Sequence, residues 1–157
     1  MIYHIIIIML AAMAIWCAWR ICVTDFRRRI IPDAYLWPLL LIGIIFSAYI
    51  PMWPINPRAA AIGATIGYAL SAGIGFLFDT YMQRHNANAP APIGLGDVKL
   101  IATGGIWLGP TGMAFAMIAA CVTGTIWGIR KKQKYIPFAP FFIFGGILSL
   151  IGILFLL

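Results

Sequence analysis

Long apolar segments separated by short polar connections dominate this chain. Five of the segments contain roughly 17–25 residues, the length that an α-helix needs to cross the hydrocarbon of a bilayer. Barrel strands would alternate polar and apolar positions, which these runs do not do, so the pattern predicts membrane-spanning helices. Six segments are present in all, at residues 5–23, 34–50, 59–78, 98–108, 112–129 and 136–157.

The fourth segment is too short for a full span. A helix from Asp97 to Leu108 would be about 18 Å long, against about 30 Å of hydrocarbon. Gly109-Pro110 ends it, because proline disfavours helix interiors and restricts the residue before it. The mismatch would be accommodated by local thinning of the bilayer, by a re-entrant start of the helix, or by an Asp97 that lies below the plane of the headgroups. The sequence thus predicts an all-α integral membrane protein, a six-transmembrane-helix bundle with a short fourth helix, in one domain over residues 1–157.

Composition supports the membrane class and excludes several others. The chain is 63% hydrophobic and 10% charged, whereas soluble domains average about 25% charged residues. The net charge of +7 comes from basic residues in connections, and none of these stretches is interleaved with aromatics as in a nucleic-acid-binding surface. The three cysteines form no CxxC pair. We therefore expect membrane lipid around the chain, but no nucleic acid, metal or cofactor.

The basic residues predict the orientation of the bundle. Eight of the eleven follow the first, third and fifth segments, in connections that share one side of the membrane by parity, at positions 27–29, 84, 130–132 and 134. Arg20 and Lys99 lie near the same side, and only Arg58 lies in a connection on the other side. By the positive-inside rule that side is cytoplasmic, so both termini face outward. The first segment has no basic start or cleavage site and is read as a retained span. The same parity places all four acidic residues at the cytoplasmic boundary: Asp25, Asp33, Asp79 and Asp97.

Asp25 and Asp97 are the candidate chemistry. A carboxylate beside hydrocarbon is costly, and it is a functional candidate by default. Two neighbouring carboxylates do not both ionise cheaply, so one acts as a base while the other keeps a proton, and together they activate water against a peptide bond. Gly94 and Gly96, just before Asp97, would let backbone approach an extended peptide and would permit positive φ.

Each acid also has a structural interpretation. Asp97 is suited to cap the helix that it begins. Asp25 is suited to pair with Arg27 or Arg29, although those arginines are also expected as orientation anchors.

Three further residues are predicted to support the site. Asp33 follows Pro32 and is expected to cap the second helix. Lys99 lies two residues after Asp97, about 200° around a helix, so its side chain is expected to point away from Asp97 and to reach the interface.

Four segments together resemble the type IV prepilin peptidases. Residues 25–33 (DFRRRIIPD) resemble the family's first aspartate segment, and residues 94–100 (GLGDVKL) resemble its GxGD(V/F)KL motif. Residues 101–109 match the small-residue stretch ending in WLG. Residues 135–141 (YIPFAPF) resemble a late IPFGPF motif, with Ala139 where glycine is usual. The segments occur in the family's order and cover essentially the whole chain.

The resemblance implies an aspartic endopeptidase of the cytoplasmic membrane with six transmembrane helices. Its partners would be prepilins or pseudopilins, cut on the cytoplasmic side after the glycine that ends a short basic leader. Asp25 and Asp97 match the catalytic positions, and Gly94 and Gly96 match the GxGD glycines. The long, bifunctional members carry an additional N-terminal region with paired CxxC motifs and methylate the new terminus. Nothing here corresponds to that region, so we expect peptidase activity without methyltransferase activity, as in peptidases of tight-adherence (Flp-type) pili; archaeal preflagellin peptidases share the dyad.

Two other functions are compatible with these sequence features. A small transporter would relay protons or bind a cation with Asp25 and Asp97, although the inverted repeats common in transporters are not visible. A structural pilus-assembly subunit would keep the motifs without activity and would tolerate loss of both acids.

Overall fold

The structure is a computed structural model that describes residues 2–85, 93–133 and 136–156. These residues form five α-helices and no strand, which confirms the all-α prediction. Four of the helices are long and apolar enough to cross a membrane, and the remaining one, α2, is shorter. Some residues of the connections lie outside the described residues. They are residues 86–92 in the third connection, Lys134, and Tyr135, which begins the late motif. The helices are α1 (Ile2–Arg28), α2 (Asp33–Tyr49), α3 (Pro57–His85), α4 (Leu95–Lys131) and α5 (Phe138–Leu156).

The described residues form five helices where the sequence predicted six. The fourth and fifth apolar segments are two helical arms of one element, α4, and they meet at a kink with no connecting loop between them. The interruption is a single non-helical residue, Gly109, with φ 65° and ψ −177°. Glycine tolerates this left-handed φ because it has no Cβ. Pro110 begins the helical turn that follows, where the missing N–H of proline costs little.

Gly109 reverses the direction of the chain. Gly67 of α3 faces both Ile101 and Met113, which a straight helix would hold about 18 Å apart. On α5, Phe142 lies against Gly104 and the preceding Phe141 lies against Gly124. The two arms of α4 therefore run side by side in opposite directions, as a helical hairpin. The first arm, residues 95–108, is about 20 Å long, as the short fourth segment predicted.

The α4 hairpin makes the most extensive contacts of the bundle, with α3 and α5. α1 and α2 pack against each other and also against this unit, α2 on α4 and α1 on α5. Buried apolar side chains lie where these helices meet, among them Ile21 of α1, Leu36 of α2 and Leu100 of α4. The junction brings the C-terminal end of α1 close to both ends of α4 and to the start of α5.

The α3–α4 contact is a backbone-to-backbone approach that depends on glycine. A Cβ added at Gly63 would meet the Gly105 carbonyl oxygen and would lie 2.8 Å from the carbonyl carbon of Gly109. Small residues allow this approach between membrane helices.

We expect Gly63→Ala to destabilise the protein by about 1–3 kcal/mol, the usual cost of overpacking a tight contact. Thermal unfolding in detergent measures the effect. Gly73→Ala is the matched control in the same helix, because nothing lies within 4 Å of its added Cβ. Equal melting temperatures for the two variants would contradict the close approach.

Candidate active site

A cavity of about 970 Å³ opens where α1, α4 and α5 meet. The cavity brings Asp25, near the end of α1, together with Gly94, Gly96 and Asp97, at the start of α4. Within the described part of the chain no three His, Cys, Asp or Glu side chains converge. The cavity wall holds two carboxylates, those of Asp25 and Asp97. The lining residues are Asp25, Arg29, Ile30, Ile31, Gly94, Gly96, Asp97, Gln133, Ile136 and Phe138.

Asp25 is buried near the end of α1, with 5% of its surface exposed. The backbone N–H of Ala139 donates a hydrogen bond to its Oδ2 at 2.9 Å. Ala139 lies in the first turn of α5, where N–H groups have no partner within the helix. The partial positive charge of a helix N-terminus favours a carboxylate at that place. Asp25 is therefore held against α5.

The expected ion pair of Asp25 with a neighbouring arginine is not formed, although Arg29 lies near enough for its charge to act on the Asp25 carboxylate. Among the described residues the ion pair is between Lys99 and Asp33, and none joins Asp25 to Arg27 or Arg29. The Arg29 guanidinium instead donates to Oε1 of Gln133 at 3.0 Å. The cause is geometric, because Asp25 faces α5, whereas Arg29 follows the last residue of α1 with φ 56° and reaches the end of α4.

Asp97 lies in the first turn of α4, half-buried in the wall of the cavity. The N-cap of α4 is Gly94, not Asp97, so the simple capping prediction is wrong. The Asp97 carboxylate reaches back to the backbone of Gly94, as the third residue of a capping box does. It also lies close enough to Asp25 for the two charges to interact. The capping contact and the neighbouring acid are therefore compatible.

The two glycines before Asp97 do not adopt the positive φ that was predicted for them. Gly94 has φ −70°, and the described glycine with positive φ is Gly109, so positive φ does not explain the motif at the start of α4. A Cβ added at Gly96 would lie 3.0 Å from the Cβ of Ile31. Gly96 therefore allows the α1–α2 connection to approach α4 closely, at the edge of the cavity.

Pro32, Asp33 and Lys99 lie outside this cavity. Pro32 is the N-cap of α2, and Asp33 is the first residue of the helix and makes no side-chain cap, so its predicted role was wrong. Its carboxylate binds the Lys99 Nζ at 2.7 Å instead. Lys99 does point away from Asp97, as the helical spacing predicted, but its contact is this ion pair between α2 and α4.

Because both partners are about half-exposed, we expect the Asp33–Lys99 pair to contribute less than about 1 kcal/mol to stability. A double-mutant cycle with Asp33→Asn and Lys99→Met, read by thermal unfolding, measures this coupling. A substantially larger coupling would contradict the expectation.

Sequence reasoning missed two contacts of the cavity. The Ala139 N–H is a backbone atom, and the signal that could have identified it is the proline-flanked motif at the start of α5. The Arg29–Gln133 hydrogen bond had no sequence signal. It joins the α1–α2 connection to the α4–α5 connection beside the two acids.

A sequence profile of the type IV leader peptidase family matches residues 6–129. The chain belongs to the type IV leader peptidase family. Membership of this family and the four apolar helices together indicate a multi-pass protein of the inner membrane.

This type IV leader peptidase chain is similar to several curated proteins named prepilin leader peptidase/N-methyltransferase. It is 28% identical to that of Dichelobacter nodosus over 137 residues, covering 85% of this chain and 45% of the relative. Identity to the Pectobacterium carotovorum subsp. carotovorum protein is 32% over 136 residues, covering 82% of this chain and 46% of the relative. Identity to the Escherichia coli K12 protein is 29% over 134 residues, covering 82% of this chain and 56% of the relative. The chain thus spans about half the length of these relatives. No solved structure matches it.

Proposed function

We propose that this chain is an aspartic endopeptidase that removes the short basic leader from type IV prepilins or pseudopilins, cutting after a glycine. The supporting observation is that Asp25 and Asp97, which belong to different helices, line one cavity. Family membership supports a peptidase, and the relatives' name includes prepilin leader peptidase.

The chemistry that we propose needs one water between the two carboxyl groups. Asp25 acts as the base, because the helix N-terminus beside it suits an anion. It takes a proton from water as the water oxygen attacks the scissile carbonyl carbon. Asp97, protonated at the start, donates its proton to the carbonyl oxygen. Collapse of the tetrahedral intermediate breaks the C–N bond. Asp25 gives its proton to the leaving amine, and Asp97 takes a proton back from a hydroxyl of the intermediate, so both acids return to their initial state.

In this proposal the cavity faces the cytoplasm and both termini face outward. The α4 hairpin supports that orientation, since it returns residues 130–132 to the end of the bundle that carries Asp97. Arg27, Arg28 and Arg29 lie at this same end, so basic residues surround the cavity side, as the positive-inside rule requires. The start of α1 and the end of α5 lie at the opposite end.

The test is cleavage by the purified chain in liposomes. A synthetic prepilin segment with a basic leader, a glycine and an apolar helix is the substrate, and mass spectrometry of the products locates the cut. We expect a single cut after the glycine, and a substrate left intact would contradict the proposal. An ion-flux assay on the same liposomes tests the transporter alternative, for which we expect no flux.

A further inference from the structure

A second cavity, of about 280 Å³, lies between α1 and α2, outside the candidate active site. Three of its seven lining residues are arginines. The lining residues are Arg20, Val23, Thr24, Arg27, Arg28, Pro32 and Tyr35.

The arginines share one face of α1. Arg20, Thr24 and Arg27 are spaced at i, i+4 and i+7, which places them one above another along the helix, and Arg28 adjoins them. Nε and Nη2 of Arg20 donate to the Tyr35 hydroxyl at 3.3 and 3.1 Å. The Arg20 guanidinium carbon also lies 5.3 Å from the centre of the Tyr35 ring. Arg20 is thus fixed against α2, while part of its guanidinium fork stays available to a ligand.

No carboxylate lines this cavity. The nearest acids in the sequence have other partners: Asp25 accepts from Ala139, and Asp33 binds Lys99. Arg27 and Arg28 form no hydrogen bond or ion pair among the described residues. Three cations that converge without a counter-ion repel one another, and the arginine fork matches the oxygen geometry of a phosphate.

Aromatic side chains continue the arginine face toward the middle of the bilayer. Trp16 lies one turn before Arg20 and contacts the Tyr35 ring edge-on, at 5.4 Å between ring centroids. Trp16, Trp19 and Trp37 are all exposed on the surface of the helices. Tryptophan prefers the interface between headgroups and acyl chains. Cationic groups at one level and exposed indoles at the next fit a headgroup above its acyl chains.

We propose that the α1–α2 cavity binds the phosphate of an anionic phospholipid of the cytoplasmic leaflet. Basic pockets between membrane helices on the cytoplasmic side are suited to such headgroups. The acyl chains then lie along Trp16 and the groove between α1 and α2. This site is separate from the acids, so it does not depend on the proposed peptidase function.

The test is native mass spectrometry of the full chain released from nanodiscs that contain phosphatidylglycerol and phosphatidylethanolamine. We expect bound phosphatidylglycerol on the wild type and about a tenfold or greater loss of it in the double variant Arg27→Gln/Arg28→Gln. The matched control is Arg130→Gln/Lys131→Gln, which removes the same charge at the end of α4, outside the cavity. We expect it to retain the lipid. Equal loss in both double variants would overturn the local site.

Two further arms identify the ligand and guard against misfolding. Tyr35→Phe keeps every charge but removes the hydroxyl that fixes Arg20, and we expect it to bind the lipid a few-fold more weakly; unchanged binding would count against the site.

Inorganic phosphate is added to lipid-free protein in detergent while the melting temperature is followed. Stabilisation by free phosphate to the level that phosphatidylglycerol gives would overturn the assignment to a lipid, and stabilisation by phosphatidylglycerol alone would support it.

Discussion

Replacing either Asp25 or Asp97 by Asn is expected to lower the rate of prepilin cleavage by about 10²–10⁴-fold, the usual contribution of a general acid or base. Asparagine keeps the size of the side chain but neither accepts nor releases the catalytic proton. The carbonyl oxygen of an Asn at position 25 can still accept the Ala139 N–H, so the contact between α1 and α5 is retained. Leader removal from a co-expressed prepilin, followed by mobility shift and mass, measures the effect.

Asp33→Asn is the matched control for these variants. It makes the same chemical change in an acid on the same side of the bundle, but its carboxylate lies outside the cavity and binds Lys99. We expect it to process prepilin at close to the wild-type rate. Equal amounts of each variant in the membrane fraction show that insertion is intact. Wild-type processing by either the position-25 or the position-97 variant would mean that the dyad assignment is wrong.

Removing the N–H of Ala139 is expected to reduce kcat by about 10–100-fold. A hydrogen bond to a charged group contributes about 1.5–3 kcal/mol, which corresponds to this range of rates. The change is made by replacing the amide between Phe138 and Ala139 with an ester, which leaves every side chain in place. Because Ala139 positions Asp25 and does not touch the substrate, we expect KM to change little. Steady-state kinetics on a fluorogenic leader peptide separate the two constants.

Ala139→Gly is the control for the ester. It keeps the backbone N–H and removes only a methyl group from a fully buried position. We expect it to retain most of the activity. A loss as large as that of the ester would indicate that packing at Ala139 matters and not its N–H. A rise in KM at constant kcat in the ester protein would contradict the positioning role.

The helices were largely predictable because a bilayer requires backbone polar groups to be bonded within each span. The ends of the helices were less predictable, because a helix can continue into water without a hydropathy signal. The third segment was predicted to end at Phe78, whereas α3 continues to His85 and contains Asp79 in its interior. The number of helices was wrong for a related reason. Gly109-Pro110 indicated an interruption, but the sequence did not distinguish a loop from a hairpin that turns at one residue.

The candidate site was predictable where it depended on side-chain chemistry. Asp25 and Asp97 stood out as costly residues next to apolar segments, and they line one cavity. That α1 and the start of α4 meet was not predictable from periodicity, because it depends on how separate helices pack. The Asp33 cap failed because Lys99, from another helix, offered a full charge at 2.7 Å. The Ala139 contact uses a backbone atom, which has no signature in residue type.

The placement of the two acids on separate helices has a mechanical consequence. Asp25 lies on α1 and Asp97 lies on α4, and these helices are held beside each other by α2 and α5, each of which packs against both. A tilt of α1 relative to α4 changes the gap between the carboxyl groups while every helix keeps its shape. The spacing on which proton sharing depends is thus set by the two helices that flank the acids.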